Sequence, residues 1–267
     1  MQHWQQMSQA ELDAAYANAD YIPDAGSFPV RWAAEAAIFR ATANAMFDIP
    51  YDAAERARLD LFHPVNPARG LVVFVHGGYW RRFGKSDWSH FAKGALAADH
   101  AVAIVGYPLA PLVRIADITR HVAQAVDCAA AHVDGPIRLT GHSAGGHLVA
   151  RMLMPDASPV CAGRIATCVP ISPVADLRPL VPQSLNADWR LDEAEALSES
   201  PVLGHKRSQA RVAIHVGGDE RPSFLWQARA LSDAWRAPLR VDRRKHHFDV
   251  IDDLLDPASD LMADILA

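Results

Sequence analysis

The sequence predicts an α/β protein built on a mostly parallel central sheet, with helices on both faces and a small cap. Three observations carry that prediction. Short apolar runs suited to buried strands recur at residues 71–75, 101–106, 137–140 and 165–171. Helical stretches at 86–98 and 115–133 alternate with them, the spacing of parallel strands joined by helical crossovers. Two of the runs stop abruptly in small-residue turns, His76-Gly77-Gly78 and Gly141-His142-Ser143-Ala144-Gly145, as strands do where a sheet presents a functional edge.

The elements follow in chain order. Residues 1–57 read as a helical lead-in, with AELDAAYANA and RWAAEAAIFRATANAMF as its helical pieces and Pro23, Gly26 and Pro29 marking the gap between them. The lead-in has too few alternating apolar positions to start a sheet, so it is expected to pack across the domain or over a pocket. Arg58 to His63 alternates as a strand, and Pro64 to Gly70 is a turn. After the alternating strand and helix units, Pro173, Pro179, Pro182 and Pro201 interrupt the rhythm. Residues 174–206 are therefore expected to form a cap or lid insertion, with LDEAEALSE as a helix within it. Arg211 to Val216 restores the sheet. Pro222 to Trp235 is a helix with proline in its first turn, Leu239 to Arg243 a last strand, and 248–255 and 257–266 closing helices. A chain of 267 residues can bury one substantial core, and the expected organisation is a single domain over 1–267.

Composition removes several functional classes. A net charge of -5 with scattered basic residues offers no field for a phosphate backbone, so nucleic acid is not an expected partner. No apolar run reaches the ~18 residues of a membrane span, and no basic segment followed by an apolar one opens the chain, so a cytoplasmic location is the expectation. The three cysteines, Cys128, Cys161 and Cys168, form neither a disulfide framework nor a metal-ligand spacing. Despite thirteen histidines there is no H-E-x-x-H or C-x-x-C motif, and neither a metal nor another cofactor is expected. Oligomeric state stays open, a homodimer included.

Strand, sharp turn and helix around Gly141–Gly145 match G-x-S-x-G, a turn that lifts one hydroxyl into an exposed, strained position; Ser143 is the candidate nucleophile. A serine in such a turn can also simply cap its helix, so its partners decide the matter. An activated serine needs a base and a carboxylate that orients the base, here expected in the order Ser, acid, His at strand ends. His247 is preferred to His246 as the base, because the His-Phe step lets the ring face the serine while Phe248 anchors the turn. Glu220, third after Gly217, is preferred as the acid, with the adjacent Asp219 either the true partner or a helix cap. The amides of Gly78 and Tyr79, with that of Ala144, are the expected oxyanion donors. His76 is expected to be a structural hydrogen-bonder. Trp80 and His142 are the expected pocket residues, although core packing is an alternative for Tyr79 and Trp80.

Four segments, HGGYW at 76–80, GHSAGGHL at 141–148, GGDERPSF at 217–224 and HHFDVIDDL at 246–254, together resemble the α/β-hydrolase family of kynurenine formamidases (arylformamidases) and related small esterases. The resemblance runs from about residue 10 to the C-terminus. It implies an α/β-hydrolase fold, with Ser143 as nucleophile, Glu220 in the acid position, His247 in the base position and Gly78 and Tyr79 in the oxyanion loop. The implied reaction is hydrolysis of N-formyl-kynurenine, or of small aryl and alkyl esters, through an acyl-enzyme. The implied partner is a small-molecule ester or formamide. The contrasting reading is a hydrolase-like binding protein without catalysis.

Overall fold

The computed structural model describes residues 4–206 and 209–267. Residues 1–3 of the expected lead-in lie outside them. The sheet runs in the order β1-β2-β4-β3-β5-β6-β8-β9, with a short β7 also paired to β6. Its strands are β1 (Ala45–Pro50), β2 (Arg58–Phe62), β3 (Leu71–Val75), β4 (Ala101–Val105), β5 (Ile137–His142), β6 (Ile165–Ile171), β7 (Arg211–Val212), β8 (Ile214–Gly217) and β9 (Leu239–Asp242). β2 is antiparallel to both of its neighbours, and every pairing from β4 to β9 is parallel. The central strands β3 and β4 are buried along their whole length, because helices cover both faces.

Two apolar clusters line the two faces. One joins α4 (Ile115–His132) and α5 (Ala144–Arg151) to Val73, Val75 and Leu139. The other sets Trp32, Phe74, Trp88, Ile251 and Ile265 against the opposite face. Segment 174–206 contributes Leu177, Leu180, Trp189, Leu191 and Ala196 to the first cluster, and it carries the short helices α6 (Asn186–Trp189) and α7 (Glu193–Ser198). Glu199, just after α7, ties this segment to α5 and α4: its carboxylate accepts from Arg151 Nε at 3.1 Å and from Thr119 Oγ1 at 2.6 Å. These groups are buried, where an ion pair holds only if its other polar atoms are also satisfied.

The structure departs from the sequence expectation in four places, one of them the helix expected at 248–255, which is a 3₁₀ turn at Val250–Leu255. The lead-in holds α1 (Gln9–Tyr16) and α2 (Ser27–Arg40), but its last residues form the edge strand β1. A register break between Met46 and Ile49, with Asp48 at φ 57°, disrupts the period-2 pattern that would have announced a strand. Buried Asp60 accepts from the Asp48 amide at 2.9 Å and pins that bulge. Residues 85–97 form a tight 3₁₀ stretch (Lys85–Ala92) before the short α3 (Lys93–Ala97), and the strand expected at 211–216 is broken at Ala213 into β7 and β8. The remaining long helix, α8 (Pro222–Trp235), has the bounds expected from its sequence, and α9 (Asp260–Leu266) closes the chain. Among the described residues no helix is long and apolar enough to cross a membrane.

Candidate active site

The turn between β5 and α5 holds Ser143 at φ 55° and ψ -114°, a conformation that costs of order 1–3 kcal/mol for a residue with a side chain and survives only where its surroundings enforce it. The enforcing contacts are visible. The Ser143 amide donates to Ile171 O at 2.8 Å, and the His147 amide donates to Ser143 O at 3.1 Å. A Cβ on Gly145 would stand 1.9 Å from Val75 O, so β3 and α5 approach this closely only because the residue is glycine. Ser143 does not cap its helix through its side chain.

Glu220 and His247 come from the loops after β8 and β9 and meet at 2.6 Å between Oε2 and Nδ1. Both are buried. A carboxylate only accepts, so Nδ1 donates and Nε2 of the neutral ring keeps its lone pair. The other carboxylate oxygen, Oε1, accepts from the Gly217 amide at 2.8 Å and from the Ser172 hydroxyl. Phe224 packs its ring 4.3 Å from that of His247. Ser143 and His247 line one cavity of about 440 Å³, together with Gly78, Tyr79 and His142.

Asp219 is on the exposed side of the loop, its amide donating to Lys245 O at 2.9 Å. It does not cap α8, whose N-cap position is Arg221 with no side-chain cap. His246 is turned into its own loop, where Nδ1 accepts from the amides of Phe248 at 3.1 Å and Asp249 at 3.2 Å. Gly78, Tyr79 and Trp80 carry successive positive φ angles of 110°, 52° and 58°, and the Gly78 carbonyl is turned back to accept from the amides of Arg81 and Arg82. Opposite that loop, the Ala144 amide is the first of α5 and has no acceptor within its own helix. His76 lies between the rings of Trp88 and Tyr107, and burial pushes its pKa down to about 4.

One expected pocket residue is corrected. Trp80 is fully buried and packs edge-on against His147 and Trp189 in the main core, while its neighbour Tyr79 faces the cavity. The larger, drier ring goes inward, where it packs on the core. His142, by contrast, does line the cavity. The walls include residues with no motif to announce them. Trp32 and Phe83 join Trp88 and Phe248 as aromatic lining, and Asp13, Tyr16 and Asn18 come from the lead-in. Ser172 was equally silent in the sequence, although it sits at φ 48° with its hydroxyl on Glu220. Among the described residues no three His, Cys, Asp or Glu side chains converge as a metal-binding group.

Residues 72–246 match the family described by the alpha/beta hydrolase fold. The chain belongs to the α/β-hydrolase family. A kynurenine formamidase from Danio rerio is 28% identical, with 96% of this chain and 94% of that protein covered. A crystal structure from Silicibacter sp. TM1040, provisionally described as that of a thioesterase, is 51% identical, with a TM-score of 0.95 and coverage of 96% and 99% of the two chains. Esterase B from Lactobacillus rhamnosis shares the fold at 18% identity, with a TM-score of 0.67 and coverage of 91% and 90%.

Proposed function

We propose that this α/β-hydrolase cleaves small acyl esters or aryl formamides, N-formyl-kynurenine among them, through an acyl-enzyme on Ser143. The observation that carries the reading is the buried Glu220–His247 pair opening onto the cavity that Ser143 also lines. His247 Nε2 takes the proton of the Ser143 hydroxyl as it attacks the carbonyl, and Glu220 stabilises the imidazolium that forms. The oxyanion is received by the amides of Gly78, Tyr79 and Ala144, each donor being worth about 3–4 kcal/mol in sites of this kind. His247 then returns the proton to the departing amine or alcohol, and water releases the acid by the same steps in reverse. The aromatic lining of the cavity and the formamidase relatives favour an aryl leaving group.

A second reading extends the leaving group to a thiol, favoured by the relative that is 51% identical and provisionally described as a thioesterase. The test compares kcat/KM on N-formyl-kynurenine, p-nitrophenyl esters and an aryl thioester, alongside labelling by a fluorophosphonate probe. The parent protein is expected to label and turn over the formamide best. Ser143→Ala should lose the label and at least about 10⁴-fold in kcat. Folded parent protein that neither labels nor hydrolyses any of the three would overturn the proposal in favour of a binding protein.

A further inference from the structure

The loop that carries His247 has no helix or strand of its own between β9 and the 3₁₀ turn at Val250–Leu255. Its position depends on how its carbonyls are held, and three successive ones are accounted for. Lys245 O accepts from the Asp219 amide at 2.9 Å and His246 O from the Val250 amide at 3.1 Å. His247 O accepts from a side chain, Nε2 of His142, at 2.8 Å. His142 is the residue immediately before Ser143, so the last of these bonds joins the elbow directly to the main chain of His247.

The chemistry of that bond is well defined. A carbonyl only accepts, so His142 Nε2 carries the proton and Nδ1 is bare. Nδ1 is turned toward Gly77 and has no hydrogen-bond partner among the described residues; a Cβ on Gly77 would come within 3.2 Å of it. The ring is 3% exposed, lies 4.7 Å from the His247 ring and 6.4 Å from that of Trp88. Burial, with the neighbouring His247 adding to it, holds its pKa well below the usual histidine range. It therefore remains a neutral donor beside a ring that must accept a proton. A cationic donor in the same place would repel the imidazolium.

We propose that His142 is a positioning residue that fastens the His247 main chain to the elbow, so that base and nucleophile keep their register as one body. This rests on Ser143 being the nucleophile and His247 the base. The side chain acts on the chemical step through His247, and because it also lines the cavity, its loss should fall mainly on kcat with a smaller effect on KM.

The experiment uses the full chain and a p-nitrophenyl ester. Glutamine places its amide nitrogen the same number of bonds from the main chain as histidine Nε2, asparagine is one bond short, and leucine has no donor. His142→Leu and His142→Asn are expected to lose about 10²-fold in kcat, the cost typical of a misplacement near 1 Å, with a smaller change in KM, while His142→Gln recovers most of the kcat loss. Should His142→Leu fail to fold, the asparagine and glutamine variants decide. Equal kcat for those two, whether at the parent level or equally depressed, overturns the proposal. Ser143→Ala is run alongside: if it keeps hydrolysing, the serine mechanism and the tether fall together, whereas an inactive Ser143→Ala beside equal asparagine and glutamine variants removes the tether alone.

Discussion

Glu220 and Asp219 differ by one position and one methylene, yet the fold treats them as opposites. Glu220 turns inward, where Ser172 and the Gly217 amide occupy one carboxylate oxygen and leave the other for His247. Asp219 stays on the surface. In the proposed mechanism Glu220→Gln removes the charge that stabilises the imidazolium and offers Nδ1 a competing donor, so kcat/KM should fall by about 10²–10⁴-fold. An exposed change such as Asp219→Asn should move stability by no more than about 0.5 kcal/mol and leave turnover near the parent value. Steady-state kinetics on both variants checks this, and a larger loss for Asp219→Asn would reverse the acid assignment. Sequence spacing favoured Glu220 but kept both open, because which of two adjacent carboxylates turns inward depends on contacts with a distant strand end. Ser172 shows the same gap more sharply. Nothing in ISPVAD marks it, and its part is visible only once β6 and the β8 loop lie side by side.

At the level of elements, the lead-in is the main addition that the structure makes to the site. The last turn of α1 presents its carbonyls to the loops after β8 and β3, which supply donors, although Ala14 O also accepts from the Ala17 amide at 3.4 Å. Ala14 O accepts from Arg221 at 3.2 Å, Ala15 O from the Ser223 hydroxyl and Tyr16 O from the Tyr79 hydroxyl. Tyr16 in turn packs against Phe224, whose other neighbour is His247. The helix thus forms a cavity wall fastened to both loops. Combining Arg221→Ala with Ser223→Ala should raise amide hydrogen exchange across Gln9–Tyr16 and increase KM for aryl substrates several-fold, with a smaller effect on kcat. Unchanged exchange in α1 would show that the clamp does not hold it. The sequence revealed the helices here, since their composition is local information, but not the destination of their carbonyls. It also missed β1, an edge strand whose bulge erases its own periodicity, while β3 was legible because it is continuous and apolar, β5 because it ends in the Gly141–Gly145 turn, and α8 because proline opens it and Phe224, Ala228 and Leu231 recur on its buried face.

The molecule as a whole has folded around neutral imidazoles, and that sets how its stability responds to acid. Burial lowers His76 to about 4 and His147 to about 3, and lowers His90 to about 4 and His142 as well. In the unfolded chain these rings take up protons below about 6.5. Between that value and their native pKa values the unfolded state binds more protons than the folded one, so stability falls as pH falls. Each fully buried ring can contribute up to about 1.4 kcal/mol per pH unit over its window. Asp264 and Asp156, lowered by the hydrogen bonds and charges of Arg240 and Arg151 against the cost of burial, lose stability in the same direction at more acid pH. Asp252 opposes them: burial raises it to about 6, so the folded state binds the extra proton between its unfolded value and 6. It is one partly exposed group against several buried rings, and the rings dominate. Urea unfolding from pH 7.5 to pH 4 should therefore show a denaturation midpoint that drops steadily below about pH 6.5, most of the loss arriving before ordinary carboxylates titrate. A midpoint that held level down to about pH 4.5 would mean that the buried rings accept protons in the folded state without penalty, and that the interior does not depend on their neutrality.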